Sequence, residues 1–232
     1  MISNSSYTES NHPLFPNMYF HLYNHANGEH NLYFSPKNYK HFLRRFDKYL
    51  YEYVHFHAFC LMPNHFHFLV EIKSTKEILA KAKIDYPHGL NHKEHKSLLE
   101  IQRFLDLDDF EAAAIVSERF RLFFMSYAKG INKQEEREGS LFRKYMRRRP
   151  ILTDAYFKGC TAYIHRNPKH HFGIEEWRQW EWSSFKRILL KEATHLCKER
   201  TLEIFGGLLG FISYHDNYDK YKDEEGNWEI EE

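Results

Sequence analysis

The sequence predicts an α+β fold from three observations. Apolar residues alternate on both sides of Pro63-Asn64, which reads as two strands separated by a turn. Apolar residues recur at helical spacing in two other segments: Tyr39, Phe42, Leu43, Phe46 and Leu50, and then Phe120, Phe123, Phe124, Tyr127 and Ile131. The elements run strand, helix, strand, strand, helix, strand, helix along the chain.

Each element has its own signal. Met1 to Pro16 is polar and reads as a loosely attached arm. Tyr19 to Asn24 alternates and is rich in aromatics, so it is the first strand. Asn24 to Asn31 holds Asn, Gly and His and reads as a loop. Ser35 supplies an N-cap and Pro36 the first helical position for a helix over Lys37 to Tyr51. Val54 to Met62 is the second strand, with Val54, Phe56, Ala58, Cys60 and Met62 along one face. His65 to Ile72 is the third. There His65 and His67 point one way, and Phe66, Phe68 and Val70 point the other way into a core. Lys73 to Asp109 is a polar insertion with short helices expected over Thr75 to Ala82 and Lys96 to Leu105. Asp108 or Asp109 caps the long helix, which gives way to a charged turn over Lys133 to Gly139. Ser140 to Arg149 reads as the last strand, ended by Pro150. Thr153 caps a helix that Pro168 limits. Trp177, Trp180 and Trp182 open an aromatic section, Leu202 to Phe211 is apolar, and Asp223 to Glu232 is an acidic tail.

Composition narrows the functional classes. A chain of 232 residues suits one domain with insertions or a small appendage. Its 20 Phe and 16 Tyr predict an aromatic-rich core. No apolar run is long enough to span a bilayer, and the N-terminus lacks the order of a signal peptide. Cys60, Cys160 and Cys197 are too widely spaced for a zinc knuckle or a disulfide framework, so the expectation is a reduced, cytoplasmic protein. Net charge is +1, so any signal for nucleic acid has to be local.

Two histidines on one face of a strand make half of a metal site. His55 and His57 form a second such pair, but His65 and His67 lie just past a turn, where ligands approach. Tyr163 and Asn167 are four residues apart on a helix and share a face. A tyrosine has a pKa of about 10, so ionising it at neutral pH costs about 4 kcal/mol. A metal on His65 and His67 would polarise a phosphate and stabilise the charge that builds on it, with Asn167 as an oxygen ligand. The local basic signal is Arg143, Lys144, Arg147, Arg148 and Arg149, interleaved with Phe142 and Tyr145. Cations there would meet backbone phosphates, and unpaired bases would stack on the aromatics.

Pro63-Asn64-His65-Phe66-His67-Phe68 resembles the His-hydrophobic-His (HUH) motif of the one-tyrosine transposases, which include the insertion-sequence-200 type and the REP-associated tyrosine transposases. Tyr163-Ile164-His165-Arg166-Asn167-Pro168 looks like their tyrosine segment. Tyr23-Asn24-His25-Ala26-Asn27 is similar to their first strand and loop, with His25 where Arg is more usual, and Trp182-Ser183-Ser184 is similar to a later signature. The resemblance covers roughly residues 17 to 190. It leaves 73–109 as an insertion and 191–232 as a C-terminal extension. It implies a ferredoxin-like or RRM-like antiparallel sheet with helices packed on it. It also implies cleavage and rejoining of single-stranded or hairpin DNA, with Tyr163 as nucleophile through a 5′-phosphotyrosine. His65, His67 and Asn167 would hold Mg²⁺ or Mn²⁺, in a monomer or a homodimer. Two other readings are a DNA-binding module of the same fold without catalysis, and a His-rich metal-binding protein, which leaves the basic strand unexplained.

Overall fold

In a computed structural model, the structure describes residues 12–87 and 107–224. The Pro63-Asn64 turn closes an antiparallel hairpin of β2 (Val54–Met62) and β3 (His65–Ile72), with Met62 opposite His65 and Cys60 opposite His67. β1 (Tyr19–His25) pairs antiparallel with the other edge of β3, setting Tyr23 opposite His67 and His25 opposite His65. β4 (Arg147–Ile151) adds outside β1, giving a four-stranded antiparallel sheet in the order β2-β3-β1-β4. This is the ferredoxin-like plan that the family resemblance implies, and the order of elements agrees with it.

Both faces of the sheet are covered, so every residue of β3 is buried. On one face lie α1 (Pro36–Leu50) and α3 (Leu107–Gln134), with α2 (Thr75–Asp85) against α3. The predicted aromatic core forms here: Phe42 meets Phe66, Phe68, Phe123 and Tyr127, and Phe46 stacks on Phe56 at 4.1 Å. α4 (Asp154–Phe172) crosses the other face against β2 and β3. Thr153 caps it by accepting a hydrogen bond from the Tyr156 amide.

Several expectations need correction. The even alternation predicted for β2 is broken by a bulge between Phe56 and Ala58. Phe59 then shares the α1 face with Phe56, while Ala58, Cys60 and Met62 stand across from Leu69, His67 and His65 on the α4 face. The last strand covers only Arg147–Ile151, and 140–146 is a loop joined to β1 by a bridge between Phe142 and Ala26. Pro150 sits within this strand, opposite Phe20, because β4 is an edge strand and an edge tolerates a missing donor. Pro168 does not end α4 either. The helix continues to Phe172 and stops where Gly173 turns left-handed at φ 62°. The Gly173 amide bonds back to the Lys169 carbonyl, the αL closure, and the Ile174 amide reaches the Pro168 carbonyl. The segment expected as a loose arm is packed from His12 onward, with Leu14 fully buried. The rest of the arm, the helix expected over Lys96 to Leu105 and most of the acidic tail lie outside the described residues.

The C-terminal part is bound into the domain. Trp182 to Ser184 runs along the free edge of β2, and the Leu61 and Ser184 amides bond to the Trp182 and Phe59 carbonyls at 2.9 Å each. α5 (Phe185–Leu189), α6 (Lys198–Ile204), α7 (Leu208–Asp216) and α8 (Tyr218–Glu224) follow. A buried chain of hydrogen bonds ties α7 to α4 and β2. The Phe59 amide donates to Ser184 Oγ (2.8 Å), which meets His165 Nε2 at 2.7 Å. His165 Nδ1 meets His215 Nε2 at 2.8 Å, and His215 Nδ1 donates to the Phe211 carbonyl at 2.8 Å. One proton per ring satisfies every link, so both imidazoles belong there in the neutral form.

Burial, with Arg178 and Arg166 nearby, pushes the His215 pKa from its ordinary 6.5 down to about 3, against the pull of the Phe211 carbonyl. The unfolded chain therefore takes up this proton first, and stability falls as pH drops through 6.5 toward about 3. A thermal unfolding series from neutral to acidic pH is expected to show this fall at up to about 1.4 kcal/mol per pH unit from this one group. His215→Gln should start less stable at neutral pH and lose less on acidification. An equal loss in both proteins would refute the assignment.

Candidate metal and tyrosine site

The site lies on the α4 face, where the ends of β1 and β3 meet the second half of α4. Strand alternation puts His65 and His67 on this face, as predicted, and both are buried. Their rings stand at right angles, 5.2 Å apart. β1 backs them: His21 and Tyr23 stack on His67, and His25 stacks on His65 at 4.9 Å. His25 is thus a packing partner of a candidate ligand.

Each candidate ligand is oriented from behind. His67 Nδ1 meets His21 Nε2 at 2.9 Å, which leaves Nε2 as the outward nitrogen. Burial, reinforced by the surrounding imidazoles, holds the His67 pKa well below the ordinary histidine value, so the ring is in the neutral form that metals require. His65 Nδ1 meets Asn64 Oδ1 at 2.8 Å, and its Nε2 meets Asn167 Oδ1 at 3.1 Å. Asn167 Nδ2 donates to the Tyr163 carbonyl at 3.4 Å, which turns Oδ1 toward His65. With the proton of His65 on Nδ1 toward Asn64, two lone pairs face one another at 3.1 Å. A cation satisfies both. Two ligands at about 2.1 Å and right angles around a small octahedral divalent ion lie about 3 Å apart, so the spacing fits such an ion.

The sequence expectation missed one residue. His171 brings a ring nitrogen within 4.8 Å of those of His65 and His67, and these three form a group able to hold a metal. Its spacing was legible, since Tyr163, Asn167 and His171 follow one another four residues apart. Ending the helix at Pro168 concealed it. His57 and His55 take no part. His57 bonds to Thr201 Oγ1 at 2.9 Å and lies 3.5 Å from Glu71, at the other end of the sheet face.

Tyr163 stands beside the imidazoles. Its ring is edge-on to His67 at 5.6 Å and to His21 at 6.1 Å, and it stacks on His170 at 5.6 Å. The Tyr163 ring, an asparagine oxygen and three imidazoles thus lie together.

The basic segment splits in two. Arg147 and Arg149 lie opposite Tyr23 and His21, on the site face. Arg148 is the correction: it points to the other face, where its guanidinium donates to Ser117 Oγ at 3.2 Å, and burial pulls its pKa down to about 10. Arg143 and Lys144 are exposed on the loop, and with Arg147, Tyr23 and His25 they line a cleft of about 200 Å³ beside the site. Of the two aromatics, Tyr145 is 57 % exposed, whereas Phe142 is buried in the core and is not available for stacking.

No family model and no curated protein matches the chain. Among solved structures it is similar to a REP-associated tyrosine transposase bound to a REP hairpin, with a TM-score of 0.53, 15% identity, and coverage of 81% of this chain and 86% of that one. The chain therefore has the fold of an HUH tyrosine transposase.

Proposed function

We propose that the protein cleaves and rejoins single-stranded DNA, with Tyr163 as nucleophile and a divalent metal held by His65, His67 and Asn167, joined by His171. The observation that carries this reading is the position of the Tyr163 ring, 5.6 Å from His67 and one helical turn from Asn167. Fold likeness supports it, since the similar transposase was solved with a DNA hairpin.

The residues divide the work. Arg147, Arg149, Arg143 and Lys144 hold the backbone across the mouth of the site. His21 and Asn64 keep the outward nitrogens of His67 and His65 aimed at the ion. A bound Mg²⁺ or Mn²⁺ supplies Lewis acidity to the scissile phosphate. The Tyr163 oxygen attacks phosphorus, the bond from phosphorus to the 3′ oxygen breaks, and that oxygen leaves as a hydroxyl. The phenol gives up one proton and the leaving oxygen gains one. The 5′ phosphate stays on Tyr163, so a later attack by a 3′-hydroxyl reseals DNA without ATP.

The test is incubation with labelled single-stranded DNA from beside the protein's own gene, with Mg²⁺ or Mn²⁺. A covalent adduct on a denaturing gel is the expected result. Tight binding with no adduct on any hairpin-flanked strand would convert the reading to a non-catalytic DNA-binding module.

The split of the basic segment gives a second expectation. Replacing Arg147 and Arg149 by alanine should flatten the slope of log affinity against log salt by about one unit for each phosphate that is no longer neutralised. Arg148→Ala should leave that slope unchanged and lower the unfolding temperature. An unchanged slope in the double variant would remove the site-face arginines from the DNA path.

A further inference from the structure

A second cavity opens on the opposite side of β4 from the tyrosine site, about 380 Å³ in volume. Phe124 and Met125 supply apolar walls over the buried rings of Phe120 and Phe142, and Tyr145 stands at the edge. Arg121, Arg143, Lys144 and Arg148 also line it, and among the described residues no carboxylate does. Arg121 is ion-paired with Glu118, which leaves the exposed Arg143 and Lys144 to set the charge of the rim. The Arg148 Nε is buried and has no hydrogen-bond partner, an unmet donor on the cavity wall.

We propose that this cavity binds one unpaired nucleobase of the strand whose backbone occupies the cleft beside His67. Flat apolar walls beneath cations match a base with its flanking phosphates, and they match neither a free anion nor a lipid chain. The volume exceeds that of a single base and leaves room for part of its sugar. Continuity supplies the route: Asn24, Arg143, Lys144 and Tyr145 line both this cavity and the catalytic cleft. A strand crossing that ridge places a neighbouring base over the cavity. Asn24 holds the ridge by donating from Nδ2 to the Arg143 carbonyl at 3.1 Å. The inference rests on the DNA reading above, but it makes the cavity a reader of bases and leaves the chemistry to Tyr163.

The test uses the whole protein in EDTA, so that cleavage plays no part. Affinity is measured for a twenty-nucleotide oligo(dT) and for the same backbone with abasic sites. Wild type is expected to prefer the strand with bases by about fivefold or more, as one stacked base provides. Met125 is 52 % exposed, as is Tyr145 at 57 %, so Met125→Ala with Tyr145→Ala leaves the fold intact. The double variant should lose the preference while keeping the affinity for the abasic strand. Photo-crosslinking of a strand carrying 5-iodouracil should modify Tyr145 or Phe124 in wild type. A retained preference in the double variant, or crosslinks confined to other residues, overturns the cavity assignment and leaves the tyrosine reading standing. Failure to bind either strand overturns both.

Discussion

Tyr163→Phe is expected to abolish the protein–DNA adduct and strand cleavage while leaving fold, metal binding and DNA binding in place. The substitution removes one oxygen and keeps the ring that packs edge-on to His67 and stacks on His170. Stability should change by no more than about 1 kcal/mol, the scale of one hydrogen bond. The proposed ligands are untouched, so metal affinity should stay within twofold of wild type. Cleavage should fall to background, because the chemistry needs an oxygen held in line with the phosphate. Tyr156 is the control. It lies seven residues earlier, about 10 Å along the helix axis. At that level the next residue of α4, Phe157, packs on Tyr19, at the far end of β1 from His65. Tyr156→Phe should therefore still form the adduct. Loss of the adduct in Tyr156→Phe and its retention in Tyr163→Phe would move the nucleophile to the wrong end of the helix and sink the proposed site.

His67→Ala is expected to remove metal binding and cleavage together, since it deletes a ligand and opens a buried gap. His21→Phe is the more discriminating change. It leaves every proposed ligand in place and removes the ring nitrogen that meets His67 Nδ1 at 2.9 Å. Removing such a supporting partner typically weakens metal binding by about 10 to 100-fold. Mn²⁺ titration by calorimetry would read the effect, with saturating metal restoring much of the cleavage in His21→Phe and none in His67→Ala. His171→Ala tests the ligand that the helix stripe adds. A variant that binds Mn²⁺ as tightly as wild type would leave Asn167 as the third protein ligand. His57→Ala should cost stability and spare metal binding, because His57 belongs to the Thr201 and Glu71 contacts.

The sequence by itself determined the pairing of His65 with His67, because strand periodicity is strict over so short a run. It likewise determined the shared face of Tyr163 and Asn167, because four residues span about one helical turn. The aromatic core and the order of elements were legible for the same reason: local periodicity reports which face is buried. Tertiary structure decided what periodicity does not encode. The bulge in β2 shifted Ala58, Cys60 and Met62 onto the site face, since one extra residue reverses the alternation beyond it. The continuation of α4 past Pro168 brought His171 to the imidazoles, and only the closure at Gly173 ended the helix. Arg148 read as one of a run of like charges, yet a strand turns alternate side chains apart and burial against α3 took it out of the cleft. His21 carried no motif of its own. Its contact with His67 exists because β1 and β3, 46 residues apart in sequence, lie side by side in the sheet, a proximity that only the folded chain creates.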